Sequence, residues 1–116
     1  MEVYDTIRTV LAVRQYEDRP ISPELVRRIV ESARLTASSR NEQPWRFIVV
    51  DDRDILRRLS EVAKTGRYIA QAPLAIVVAI EDTEFAVSDA SRAIQSMIIT
   101  AWSEGNKDVA IGSWAS

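Results

Sequence analysis

The segment TASSRNEQPWRF, residues 36–47, lies between a run with helical periodicity and a run of β-forming residues. Residues 38–41 carry two hydroxyls, a guanidinium and an amide, and a second amide follows at Gln43. Pro44 has no N–H group and favours an extended Gln43, so it predicts the end of any helix. The segment therefore lies at a surface or lines a pocket. Composition alone favours the simpler interpretation, a polar helix end leading into a strand.

Regular elements are predicted on both sides of this segment. Ser22 and Pro23 form a typical helix start, with serine as the N-cap and proline at the first helical position. The helix that follows has a predicted buried stripe of Leu25, Val26, Ile29, Val30 and Ala33. Residues 47–50 predict a short strand. The continuous apolar run 74–80 predicts a central strand that is covered on both faces.

Three more helices and a final strand are predicted from periodicity. The helix at 3–13 should bury Val3, Ile7, Val10 and Leu11, and the helix at 53–64 should bury Ile55, Leu56, Leu59 and Val62. The longest helix, 84–104, has a very wide apolar band from residue 93 to residue 102. Such a helix is buried nearly all round, which favours a second subunit over a single-chain core. The tail predicts a turn and one more strand.

The composition restricts the kinds of chemistry open to the chain. Its 116 residues fit one domain, residues 1–116. It has no cysteine and no histidine, which excludes disulfides, thiolate nucleophiles, histidine-based triads and the usual zinc ligands. Two acidic clusters, 51–54 and 81–84, lie at strand-to-helix junctions and are interpreted as helix caps rather than metal or acid–base sites. A bound organic cofactor suits such a sequence.

Charge and hydropathy indicate the binding partners and the cellular location to expect. The net charge of −2 argues against nucleic-acid binding, although the basic residues are thirteen arginines and only two lysines. No apolar run approaches the roughly 20 residues that cross a bilayer, and the N-terminus has no signal-peptide pattern. The expected location is the cytoplasm, with no membrane partner.

The pattern Ser-Ser-x-Asn-x-Gln-Pro-Trp-x-Phe at residues 38–47 resembles the signature loop of the nitroreductase family of FMN-dependent oxidoreductases. This resemblance implies that Ser38, Ser39 and Asn41 contact the flavin, across the interface of a homodimer. It also implies an α+β fold, with helices on a small, mainly antiparallel sheet and the long helix 84–104 at the subunit contact.

Arg14 is the residue that the resemblance assigns to the FMN phosphate. Arg14, Tyr16 and the run 18–21 match a second part of the family pattern. Residues 10–12 are Val-Leu-Ala, where the family has an Arg-Arg-Ser element that also holds the phosphate. Arg14 suits a forked, charge-assisted phosphate contact, and the alternative is an ordinary salt bridge to a neighbouring carboxylate.

The resemblance implies a reaction and leaves an alternative open. The reaction is hydride transfer from NAD(P)H through FMN to a nitroaromatic, a quinone or a similar small-molecule acceptor, with no catalytic side chain and no metal assigned. The chain resembles only the first part of the family fold and is expected to be a C-terminally shortened member. The alternative is a truncated, non-catalytic module that dimerises or binds a ligand, with weak or no flavin binding.

Overall fold

The computed structural model describes residues 2–10, 16, 19–63, 67–104 and 109–113. These ranges contain four α-helices and three strands. In chain order they are α1 (Val3–Thr9), α2 (Pro23–Arg34), β1 (Trp45–Val50), α3 (Arg53–Val62), β2 (Leu74–Ile80), α4 (Ala86–Ser103) and β3 (Val109–Ser113). Short 3₁₀ turns lie at Ser39–Asn41 and Arg67–Gln71.

The three strands form one sheet in the order β1-β2-β3. The β1 and β2 strands pair antiparallel, from Trp45 opposite Ile80 to Val50 opposite Ala75. The β2 and β3 strands pair in parallel over a shorter ladder. The α+β class, the central position of 74–80 and the additional strand near the chain end are thus confirmed. The sheet is mixed, with antiparallel pairing over its longer ladder.

The sheet separates two apolar clusters because successive side chains of a strand point to opposite faces. The larger cluster packs α2 and α4 against one face. Its most buried members are Ile29, Ala33, Trp45, Leu74, Ile76, Val78, Ala93, Met97 and Ala101. The smaller cluster, on the other face, consists of Val50, Leu56 and Ala75 with partly buried Leu59, Ile69 and Val77.

Side-chain caps begin two of the helices. The Ser22 Oγ accepts a hydrogen bond from the Leu25 N–H at 3.2 Å, so the predicted start of α2 is confirmed. Asp52 Oδ1 accepts from the backbone N–H groups of Asp54 and Ile55 at 2.9 and 3.1 Å, as expected for a cap in the cluster 51–54. The cap interpretation of the cluster 81–84 is wrong, because Phe85 holds the cap position and makes no side-chain cap bond.

The apolar face predicted for the first helix is not buried within the chain. Val3 and Ile7 are 70% and 56% exposed, whereas Thr6 is buried. The helix α1 instead contacts α4 through polar groups, because Trp102 Nε1 donates to Thr9 Oγ1 at 3.1 Å. The backbone leaves the helix at Val10, and residues 11–13 lie outside the described ranges.

The burial observed in the third and fourth helices also differs from the prediction. Ile55 and Val62 of α3 are about half exposed, and the helix presents Leu56 to the small cluster. In α4, Asp89, Ala90, Ala93, Ile94, Met97 and Ala101 are buried within the chain, while Ile98, Ile99 and Trp102 are half-buried. A second subunit against α4 stays a prediction. No helix in the described part of the chain combines the length and hydropathy needed to cross a membrane.

Candidate functional site

The polar loop between α2 and β1, residues 36–44, has an unusual backbone. Arg40, Asn41 and Gln43 have φ values of 57°, 55° and 50°, and none of them is glycine. Each such residue costs about 1–2 kcal/mol relative to the right-handed or extended conformations. Backbone strain of this kind persists only where surrounding contacts hold it, and it occurs preferentially at functional sites.

Hydrogen bonds within the loop hold this conformation. The Gln43 N–H donates to Ser38 Oγ at 2.9 Å, and Gln43 Nε2 donates to Asn41 Oδ1 at 2.7 Å. The Asn41 N–H donates to the Ser38 carbonyl at 3.0 Å. These bonds fold Gln43 back over the 3₁₀ turn, so the extended conformation expected before Pro44 is wrong.

Contacts with distant parts of the chain fix both ends and the middle of the loop. At its start, Thr36 Oγ1 donates to Ser96 Oγ of α4 at 2.7 Å. In its middle, the Ser39 N–H and Oγ both donate to Asp89 Oδ1, at 3.1 and 3.4 Å. At its end, the Pro44 carbonyl accepts from the Glu81 N–H at 3.0 Å. The loop is therefore mounted on the side of α4 and on the end of the sheet.

Asp89 is the polar residue of this site that the sequence patterns did not identify. Its side chain is 1% exposed. It begins a line of buried residues spaced four apart along α4, which continues through Ala93, Met97 and Ala101. A carboxylate in phase with such a stripe is the signal that could have found it, because a buried charge requires hydrogen-bond donors.

The expected flavin-contacting residues lie together, with one exception. Ser38 and Ser39 are half-buried and Asn41 is exposed, all within one 3₁₀ turn and its first flanking residue. Arg40 and Gln43 add an exposed guanidinium and an exposed amide. Arg14 lies outside the described residues. The cluster offers neutral hydrogen-bond donors and acceptors and one cation, which suits binding of a polar ring system more than proton transfer.

Two other features do not contribute to this site. An open groove of about 750 Å³ runs beside α2, but its lining, which includes Val30, Leu35 and Val49, contains no residue from 36 to 43. Among the described residues, no group of three or more carboxylates lies close enough together to hold a metal ion. Neither feature therefore adds to the polar cluster on the loop.

Comparison with known proteins gives consistent results. Residues 8–66 match the model of the nitroreductase family. A protein of Methanothermobacter thermautotrophicus, provisionally named NADH dehydrogenase/NAD(P)H nitroreductase, is 36% identical over 90% of this chain and 58% of its own length.

Solved structures agree with this match. An FMN-dependent nitroreductase from Clostridium difficile superposes with a TM-score of 0.82 at 32% identity, over 86% of this chain and 60% of the other. A provisionally named nitroreductase from Desulfovibrio desulfuricans, solved in complex with FMN, gives a TM-score of 0.77 at 30% identity, over 90% and 64%. The chain thus spans about three fifths of the length of these three relatives.

Proposed function

Because the chain belongs to the nitroreductase family, we propose that it is an FMN-dependent oxidoreductase that transfers hydride from NAD(P)H through FMN to a nitroaromatic, a quinone or a similar acceptor. The observation that carries this proposal is the strained, polar segment 38–43 of the loop, which is hydrogen-bonded to α4. Relatives named FMN-dependent nitroreductase and FMN reductase support the choice of cofactor.

The loop residues fit the polar edge of a flavin. The ring system of FMN presents carbonyl oxygens, ring nitrogens and one N–H, so it needs both donors and acceptors from the protein. The exposed side chains of Arg40 and Asn41 supply donors, and Ser38 adds a hydroxyl. We assign flavin contacts to Ser38, Ser39 and Asn41, and a phosphate contact to Arg14. When bound, FMN supplies the capacity to accept and release hydride, which no side chain possesses.

We also propose that the active form is a homodimer with the flavin site at its interface. The exposed apolar side chains of Val3, Tyr4 and Ile7 on α1 support this proposal, since large apolar patches on a small domain mark contact surfaces. The half-buried Ile98, Ile99 and Trp102 of α4 support it as well. Light scattering coupled to gel filtration should give twice the 13.1 kDa chain mass.

The visible absorbance spectrum of the purified protein tests the cofactor directly, followed by quantification of the flavin released on denaturation. We expect about one FMN per chain, and oxidation of NAD(P)H coupled to reduction of a quinone or a nitroaromatic. Asn41→Ala should weaken FMN binding by about tenfold, the effect of one lost hydrogen bond. Gln71→Ala, which removes an exposed amide from the turn 67–71 on the opposite face of the sheet, is the matched control and should leave the affinity unchanged.

A second candidate function is a non-catalytic module that dimerises or binds a ligand. The observation in its favour is the run Val-Leu-Ala at residues 10–12, where the family has a phosphate-binding Arg-Arg-Ser element. A colourless protein that stays colourless after incubation with FMN would exclude the oxidoreductase and leave this candidate. A dimer mass alone does not separate the two, because both functions predict it.

A further inference from the structure

Asp89 is a nearly completely buried carboxylate whose role the proposed reaction does not use. It is 1% exposed, and its Oδ1 accepts hydrogen bonds from the Ser39 N–H and the Ser39 hydroxyl. It lies in the first turn of α4, where the helix dipole favours a negative charge. A buried carboxylate is tolerated only with such partners, and both of its donors here come from the candidate site loop.

The hydrogen bonds from Ser39 to Asp89 attach the middle of the loop to α4. Ser39 opens the 3₁₀ turn, and the left-handed residues Arg40 and Asn41 follow it directly. Rotation of the turn away from α4 would break the hydrogen bond between the Ser39 N–H and Asp89 Oδ1. The two residues that follow therefore keep their exposed side chains outside the fold.

We propose that Asp89 is a positioning residue for flavin binding, which acts through Ser39 to hold residues 38–43 in the conformation that meets FMN. This inference rests on the proposed function. It assigns to Asp89 no contact with the flavin. It predicts that flavin affinity depends on the acceptor oxygen of residue 89 rather than on the fold stability that residue 89 also supports.

The test compares three variants under conditions in which each remains folded. Asp89→Ala removes the acceptor, and Asp89→Asn keeps an oxygen that accepts from the Ser39 N–H. Leu56→Ala is the matched control for stability, because Leu56 is fully buried in the small cluster on the opposite face of the sheet and is not part of this loop. FMN affinity is measured by quenching of flavin fluorescence, and stability is measured by urea unfolding without FMN.

Asp89→Ala should raise the dissociation constant for FMN at least tenfold, and Asp89→Asn should restore it to within threefold of the parent. Leu56→Ala should lower stability without changing FMN affinity. Equal affinities of Asp89→Ala and the parent would overturn the role of Asp89 and leave the proposed function intact. A parent protein that binds no FMN would instead overturn the proposed function, and the positioning role with it.

A second measurement requires no variant and covers the case in which Asp89→Ala does not fold. Hydrogen exchange of the Ser39 amide should be strongly slowed in the parent protein, because that N–H is bonded to a buried oxygen. An exchange rate equal to that of an unstructured amide would show that Asp89 does not hold the loop, and would overturn the proposal.

Discussion

The two faces of the sheet are held together in different ways. On the face that carries the candidate site, hydrogen bonds join residues 50 and 60 positions apart, from Ser39 to Asp89 and from Thr36 to Ser96. On the opposite face, the Arg53 guanidinium donates to the carbonyls of Ala70 and Ala72, 17 and 19 positions away. The site face also holds the larger apolar cluster. Two of these long-range contacts thus hold a loop that must keep a strained shape, one at its start and one in its middle.

The largest expected difference between the two faces concerns their cores. Met97→Ala in the large cluster and Leu56→Ala in the small one each remove a fully buried side chain. We expect both to lower the free energy of unfolding by about 2–5 kcal/mol, with Met97→Ala the more costly. The small cluster can collapse onto the smaller residue, because its neighbours Leu59, Ile69 and Val77 are only partly buried. Urea unfolding measures both, and a larger loss for Leu56→Ala would contradict this difference in packing.

The second prediction concerns the contact that joins α3 to the turn 67–71. Arg53 Nη1 donates to Ala70 O at 2.6 Å and to Ala72 O at 3.0 Å, and both are charge-assisted hydrogen bonds. Arg53→Ala should lower the free energy of unfolding by about 1–3 kcal/mol, because two backbone carbonyls, one of them in a part-buried contact, lose a charged donor. Arg57→Ala on the same helix breaks only an exposed 3.6 Å pair with Asp54. It should change stability by less than about 0.5 kcal/mol, and equal losses for the two variants would refute the contact.

The regular elements were largely predictable from the sequence because local signals determine them. The cap formed by Ser22 and Pro23 set the start of α2, and the unbroken apolar run set the bounds of β2 at 74–80. The strand β1 begins at Trp45, two residues before the prediction, because Trp45 and Phe47 share one face while the exposed Arg46 lies between them. The prediction relied on the continuous apolar run 47–50, but this edge strand begins earlier, in a stretch where buried and exposed side chains alternate.

The site was only partly predictable, because its decisive contacts join distant positions. The pattern at 38–47 identified the loop, but periodicity carried no information about which group Ser39 meets. The left-handed backbone at Gln43 opposed the local preference that Pro44 imposes, since hydrogen bonds within the loop outweighed it. The prediction that the apolar face of α1 is buried within the chain was wrong for a related reason. An amphipathic pattern specifies an apolar face but not the surface that covers it.

The third prediction compares the effect of a glycine substitution in the loop with that of one in the neighbouring strand β1. Arg40 and Arg46 are both exposed, but only Arg40 has a positive φ. Glycine at position 40 relieves strain while it adds freedom to the unfolded chain, so Arg40→Gly should change stability by less than about 0.5 kcal/mol. Arg46→Gly gains no such relief within β1 and should cost about 1 kcal/mol. Urea unfolding of the two variants checks this, and an equal loss in both would argue against the left-handed conformation at residue 40.

The smallest expected effect lies on the exposed side of α2. The Arg34 guanidinium donates to the Glu31 carboxylate, with Nε 2.8 Å from Oε2, and this hydrogen bond lowers the pKa of Glu31 below its ordinary value of 4.5. Because the folded-state pKa is the lower one, the pair stabilises the fold above pH 4.5, and the contribution disappears as the pH falls through the folded-state pKa.

Arg34→Ala should therefore raise the pKa of Glu31 toward 4.5 in a carboxyl NMR titration, with only a slight loss of stability at neutral pH, because the pair is exposed. Arg34→Lys keeps the charge but loses the forked geometry, so its Glu31 pKa should fall between the other two. A Glu31 pKa that is the same in all three proteins would mean that the hydrogen bond does not persist in solution. In that case the exposed Glu31–Arg34 pair would differ clearly from the buried contact between Asp89 and Ser39. Burial, and not pairing alone, would then be what keeps a carboxylate and its donor together on this fold.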